Sequence, residues 1–288
     1  MTRLYTSADS LRRALLDRLR TQSLRSGLPI NTLLTKVLME RLLARLFAQE
    51  DAPWLLKGGY AFELRYRPNA RTTRDLDLSA SRTEGDSKDL ALEWIHAQLI
   101  QAAGRDLGDF MRFEVGHSSR ELTMTPFGGA TFPVTAYLGE KPLSQFHVDV
   151  ALSEPPVGRD EQLTGADVLG FAGLPPAKIR AISTAQQFAE KLHAYSHPWQ
   201  ERQNTRVKDL VDMVMLVERE QIDPATLKLA VATVFRHRQR QPPPTQLVRP
   251  PEDWRDRYPE LAAQARVRAL DIDAAFQLVS DYWNNISH

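Results

Sequence analysis

The sequence predicts an α+β protein: an N-terminal α/β domain built on a mixed sheet, then a C-terminal helical domain. Three observations predict it. Residues 73–79 (Thr-Arg-Asp-Leu-Asp-Leu-Ser) and 145–151 (Gln-Phe-His-Val-Asp-Val-Ala) alternate polar and apolar with period two, as half-buried strands do. Glycine-containing turns at Gly128-Gly129 and Gly139-Glu140-Lys141-Pro142 separate strand-like runs at 120–125, 131–138 and 145–152. Past Pro155-Pro156 and Pro175-Pro176 helical spacing takes over. The domains expected from this are 1–160 and 161–288.

In chain order, Leu11, Leu15, Leu16 and Leu19 mark a helix over 8–24, and Leu34, Val37, Leu38, Leu42 and Leu46 mark one over 31–49. Trp54-Leu55-Leu56 is a short apolar stretch ending at Lys57-Gly58-Gly59, and 60–66 reads as one or two helical turns. Pro68-Asn69 makes a turn ahead of the 73–79 strand. A helix follows over 86–106 and a further strand over 110–115. The C-terminal helices are expected at 183–196, 205–219, 224–238, 253–267 and 271–285. The Pro-rich stretch from Gln241 to Pro251 reads as a mobile loop or spacer.

Composition narrows the class. Apolar residues make up 42% and charged residues 25%, as in ordinary globular proteins. No apolar run approaches the roughly 20 residues that span a bilayer, and the N-terminus lacks the apolar stretch of a secretory signal. The absence of cysteine removes disulfides and thiolate metal sites and fits the cytoplasm. The net charge of +1 identifies no partner, but residues 1–47 carry nine Lys/Arg against three Asp/Glu. Arg236, His237, Arg238 and Arg240 form a second basic patch. Such patches suit RNA phosphates or are solvated helix faces.

The chemistry concentrates in four places. Asp75 and Asp77 stand at i, i+2 on one strand and therefore face the same way. Two carboxylates side by side repel unless a cation lies between them. Mg²⁺ takes one or two carboxylates plus substrate phosphates, and a paired metal site serves phosphoryl or nucleotidyl transfer. Gly58 and Gly59, the latter sixteen residues before Asp75, let a backbone approach a triphosphate. A lone D-x-D is usually a pair of solvated strand carboxylates; the upstream Lys57-Gly58-Gly59 favours the site. Asp149, on the face opposite Phe146, Val148 and Val150, needs a partner or a metal. It either completes the site, acts as base for an attacking hydroxyl, or is a solvated acid on an edge strand. Glu190-Lys191 on one helix and Asp209 with Asp212 opening the next form the fourth place. Lys191 held by Asp209 would reach nucleotide phosphates, or the group is a plain interhelical salt bridge. His193 and His197 at i, i+4 have no third ligand and read as a surface pair. The five tryptophans read as packing residues.

Lys57-Gly-Gly-Tyr-Ala-Phe-Glu-Leu64 followed by Arg71-Thr-Thr-Arg-Asp-Leu-Asp-Leu78 resembles the first motif of the AbiEii/AbiGii toxin family, of the polymerase-β-like nucleotidyltransferase superfamily. Phe188-Ala-Glu-Lys-Leu-His-Ala194 and Arg206-Val-Lys-Asp-Leu-Val-Asp-Met213 resemble its later elements. The resemblance spans residues 50–216 and includes the mycobacterial MenT group. It implies a polymerase-β-like nucleotidyltransferase domain with Mg²⁺ or Mn²⁺ on Asp75 and Asp77, and essential Lys191 and Asp209. Lys57, Gly58, Gly59, Tyr60, Arg74, Lys191 and Lys208 would meet the NTP. It further implies transfer of nucleotides to the 3′ end of tRNA, a block on translation, and a cognate antitoxin protein as partner. Tyr60 departs from the superfamily, which usually has Ser or Thr after the second glycine. Two other functions compete: a nucleotidyltransferase acting on a protein or small molecule, and a catalytically silent member that binds RNA or protein.

Overall fold

A computed structural model describes residues 4–67, 73, 75–81, 87–122, 125, 127–153, 155–197, 205–239 and 242–287. The Pro68-Asn69 turn, Arg71, Arg74, Trp199 and Arg240 lie outside the described residues. The chain divides into two compact units. The first holds residues 1–64, 73–154 and 162–181; the second holds 65–72, 155–161 and 182–288.

The first unit opens with helices α1 (Ala8–Ser26) and α2 (Ile30–Leu46). Ser7 caps α1 by accepting the Ser10 amide, and Gly27 ends it at φ 72, in the left-handed region that glycine enters without a Cβ penalty. Next come β1 (Trp54–Lys57), α3 (Gly58–Tyr66), β2 (Leu76–Ser81) and α4 (Lys88–Ala103). The remaining strands are β3 (Met111–Val115), β4 (Arg120–Glu121), β5 (Gly129–Leu138), β6 (Lys141–Ser153), β7 (Glu161–Thr164) and β8 (Lys178–Ala181). They form an eight-stranded mixed sheet in the order β3-β5-β6-β2-β1-β8-β7, with β4 paired to β5. β2 runs parallel to β6 and β1 parallel to β8, whereas β1/β2, β3/β5 and β5/β6 are antiparallel.

Period-two alternation explains how the sheet is seated. Phe113, Phe132, Val134, Phe146, Val148 and Val150 are buried in one core with Leu15, Leu38, Leu42 and Ile95 of the helices. Arg112, Glu114, Gln145 and His147, on the alternate positions, are exposed. A buried ionic knot lies in the same core. Arg45 Nη2 donates to Asp109 Oδ1 at 2.7 Å and to the Met111 carbonyl at 2.7 Å, and Arg41 Nε donates to Asp109 Oδ2 at 2.8 Å. It joins α2 to the start of β3.

The boundary expected at 160/161 moves. Residues 162–181, expected with the helical part, belong to the first unit, and β7 and β8 lie in its sheet. Each spans four residues, too short for alternation to register, and both lie between prolines.

The second unit is helical: α5 (Thr184–Ser196), α6 (Val207–Arg219), α7 (Pro224–Gln239), α8 (Tyr258–Ala265) and α9 (Ile272–Ser287). Helix α6 is buried from Leu210 to Leu216 and packs against α5, α8 and α9. The Pro-rich loop is anchored rather than free: Tyr195 Oη donates to the Val248 carbonyl at 2.6 Å, and Trp283 Nε1 to the Pro244 carbonyl at 2.8 Å.

Candidate active site

The candidate site of the first unit grows from strand register. Asp77 on β2 pairs with Asp149 on β6, Asp149 pairs with Thr131 on β5, and Thr131 pairs with Arg120 on β4. On the other side Asp77 pairs with Lys57 on β1. Residues in register project from the same face. A single row therefore crosses five strands: Lys57, Asp77, Asp149, Thr131, Arg120. At the usual strand spacing of about 4.8 Å, the two carboxylates stand on adjacent strands in the middle of this row.

Each acid is held. Asp149 accepts a 2.6 Å hydrogen bond at Oδ1 from Thr131 Oγ1, which leaves its second oxygen for other work. β6 lies inside the sheet between β5 and β2, so Asp149 is not the solvated acid of an edge strand. Asp77 fills the space that Gly58 leaves open. A Cβ on Gly58 would stand 2.0 Å from Asp77 Oδ2, and the φ of 63 there lies in the left-handed region that L side chains rarely adopt. Asp75 precedes β2 and is exposed. The Thr73 amide just ahead of it donates to Glu63 Oε2 of α3 at 3.3 Å, which ties down the approach to the acids. Asp75, Asp149, Thr131, Ser119, Arg120 and His147 line a cavity of about 350 Å³.

These residues fit a hard divalent cation. Among the described residues no cluster of three His, Cys, Asp or Glu closes around one point. Mg²⁺ does not need one, because phosphate and water oxygens complete its shell. Carboxylates sharing one face, with the glycine gap that admits Asp77, supply the protein's part.

The second unit brings Lys191 together with both aspartates of α6. Its ammonium lies 2.8 Å from Asp209 Oδ1 and 2.9 Å from Asp212 Oδ2. Asp212 is fully buried and Asp209 nearly so. Buried carboxylates persist in charged form only with such a partner.

Over residues 41–279 the sequence matches the family described as nucleotidyl transferase AbiEii toxin, of type IV toxin–antitoxin systems. The chain belongs to the AbiEii nucleotidyltransferase toxin family. Among solved structures it is similar to MenT4, a nucleotidyltransferase toxin from Mycobacterium tuberculosis, with a TM-score of 0.54 and 18% identity over 98% of this chain and 97% of that one. That likeness establishes the fold. A weaker one is to JHP933 from Helicobacter pylori, with a TM-score of 0.45 and 14% identity over 90% of this chain and 94% of that one. No curated protein matches the sequence.

Within this AbiEii chain the remaining residues singled out in the sequence fall as follows. Gly58 and Gly59 open α3, at the end of the helix that carries its positive dipole. The Tyr60 side chain does not take the place of the superfamily's Ser or Thr. It is buried, and its hydroxyl donates to Glu40 Oε1 at 2.8 Å, so a nucleotide could meet this residue only through its main chain. Lys208 is exposed on the first turn of α6. The His193/His197 pair is not a surface pair, because His193 is buried edge-on against Phe235. Burial pushes its pKa down to about 4, and Arg238 and His197 push the same way. Alternation already puts His147 on the Asp149 face of β6, but the sequence does not connect Ser119, Arg120 or Thr131 with the acids. Only the sheet order brings those three to the acids.

Proposed function

We propose that this toxin-family nucleotidyltransferase is Mg²⁺-dependent and transfers nucleotides from an NTP to the 3′ end of tRNA, blocking translation. The observation that carries the proposal is the register of Asp77 with Asp149 beside the Gly58 gap. Bound Mg²⁺ or Mn²⁺ would neutralise charge on the phosphates as it develops. Asp75 and Asp77 are assigned to hold it. The first-turn amides of α3, with Lys57, are assigned to the triphosphate, since a helix N-terminus favours anions. Arg74 keeps the same assignment on the resemblance alone.

Transfer joins the acceptor 3′ oxygen to the α-phosphorus, breaks the bond to the bridging oxygen and releases pyrophosphate. The hydroxyl proton passes to Asp149, whose orientation Thr131 fixes. Lys191 and Asp209 are assigned as essential on the family's motif. An antitoxin protein is the expected partner and the cytoplasm the expected compartment. Among the described residues no helix is long and apolar enough to cross a membrane.

The test is incubation of the protein with total tRNA, Mg²⁺ and each α-labelled NTP in turn. Label should enter tRNA with one or more NTPs, and a chelator should abolish it. Label entering protein or a small molecule instead would favour the competing substrate classes.

A further inference from the structure

The sheet order gives the acid pair two distinct sides. Toward β1 lie Lys57 and the glycine turn of α3; toward β5 and β4 lie Thr131, Ser119 and Arg120, with His147 preceding Asp149 on β6. In-line transfer places the attacking oxygen opposite the leaving pyrophosphate. If the triphosphate occupies the glycine side, the acceptor end must come from the side of β5 and β4. The cavity on that side is floored by Asp75 and Asp149 and carries the two basic side chains Arg120 and His147. Both are exposed. Arg120 lies two register steps from Asp149, about 10 Å between strands. An extended Arg side chain covers much of that gap.

We infer that Arg120 and His147 bind the acceptor strand, gripping the phosphodiester next to its terminal 3′-hydroxyl, with Ser119 as an additional donor. The inference rests on the function proposed above and deepens it. A nucleic-acid end brings a negative phosphate within one nucleotide of its reactive hydroxyl, toward a floor that is itself acidic. A cation at the far rim offsets that repulsion and sets the distance from which the hydroxyl reaches Asp149. Guanidinium suits the task because it forks onto two phosphate oxygens. Arg120 is a binding residue in this scheme, and its loss acts on the acceptor rather than on the NTP.

The experiment compares wild type with Arg120→Ala, Arg120→Lys, His147→Ala and Lys178→Ala. Lys178 is an exposed cation on β8, on the far side of the glycine turn. KM is measured separately for tRNA and for NTP, and 5′-labelled tRNA binding is measured without NTP at several salt concentrations. Arg120→Ala should raise KM for tRNA about tenfold or more, as loss of a charge-assisted contact does. It should leave KM for NTP unchanged and lower the salt slope of binding by about one. Arg120→Lys should recover part of the affinity, His147→Ala should show a smaller loss, and Lys178→Ala should match wild type. Unchanged tRNA affinity in Arg120→Ala, or a rise in KM for NTP instead, overturns the assignment while wild-type transfer keeps the proposed function standing. Failure of the wild type to bind or extend tRNA removes the proposed function, and this inference with it.

Discussion

Lys191 has a place in the fold that does not depend on the chemistry assigned to it. It neutralises two carboxylates, one of them fully buried. Lys191→Ala should therefore destabilise the protein by about 3–5 kcal/mol, because it breaks a buried ion pair by removing one partner. Loss of activity in that variant would not separate scaffold from site. Asp209→Asn does separate them, since Lys191 keeps Asp212 as its partner. It should melt near wild type and lose transfer; full activity would make the group a scaffold. The pairing was legible in the sequence because Asp209 and Asp212 stand at i, i+3 on one helix face. The burial of His193 was not, because i, i+4 spacing says which residues share a face and not which neighbour covers it.

At the scale of the element, the β1–α3 turn and strand β2 work as a pair. Gly58→Ala would drive a methyl into the Asp77 carboxylate and hold a side chain at φ 63. The left-handed backbone alone costs about 1–2 kcal/mol, and displacement of Asp77 should remove most of the transfer activity. Leu76→Ala on the opposite face of β2, fully buried, should cost about 2–5 kcal/mol while the remaining folded protein keeps its turnover. Thermal melts beside activity per folded molecule distinguish the two. Period two puts Asp75 with Asp77 on one face and Asp149 on the polar face of its strand, because alternation fixes which face a residue takes; the upstream Lys57-Gly58-Gly59 is what singles out the first pair. Arg120 opens a strand-like run, but nothing in the sequence says which strand it pairs with, and only pairing across β5 places it in the row. Strands β7 and β8 were hidden by their short length.

At the scale of the whole molecule, titration should erode stability in one direction. The folded protein holds His193 near pKa 4, below its ordinary 6.5, so the unfolded chain takes up that proton first. The stability this contributes is present above pH 6.5 and is lost as pH falls to about 4. Burial alone would raise the pKa of Asp109, but Arg45 and Arg41 outweigh it and hold it below 3.8. Its contribution is present above that value and disappears below it. The melting temperature should thus fall from neutral pH downward in two stages, and His193→Gln should flatten the upper one. A wild-type melting temperature that stays level between pH 6.5 and 4 would contradict the buried neutral histidine. The acid row is the centre of the proposed chemistry, and Asp77→Ala tests it most directly. With labelled NTP, Mg²⁺ and tRNA, wild type should transfer label and the variant should lose transfer by several orders of magnitude, since metal-held charge in the transition state is the main catalytic contribution. Its circular dichroism and melting temperature should match or slightly exceed wild type, because removing one of two crowded acids relieves repulsion. A folded Asp77→Ala protein that transfers label at the wild-type rate would contradict the account.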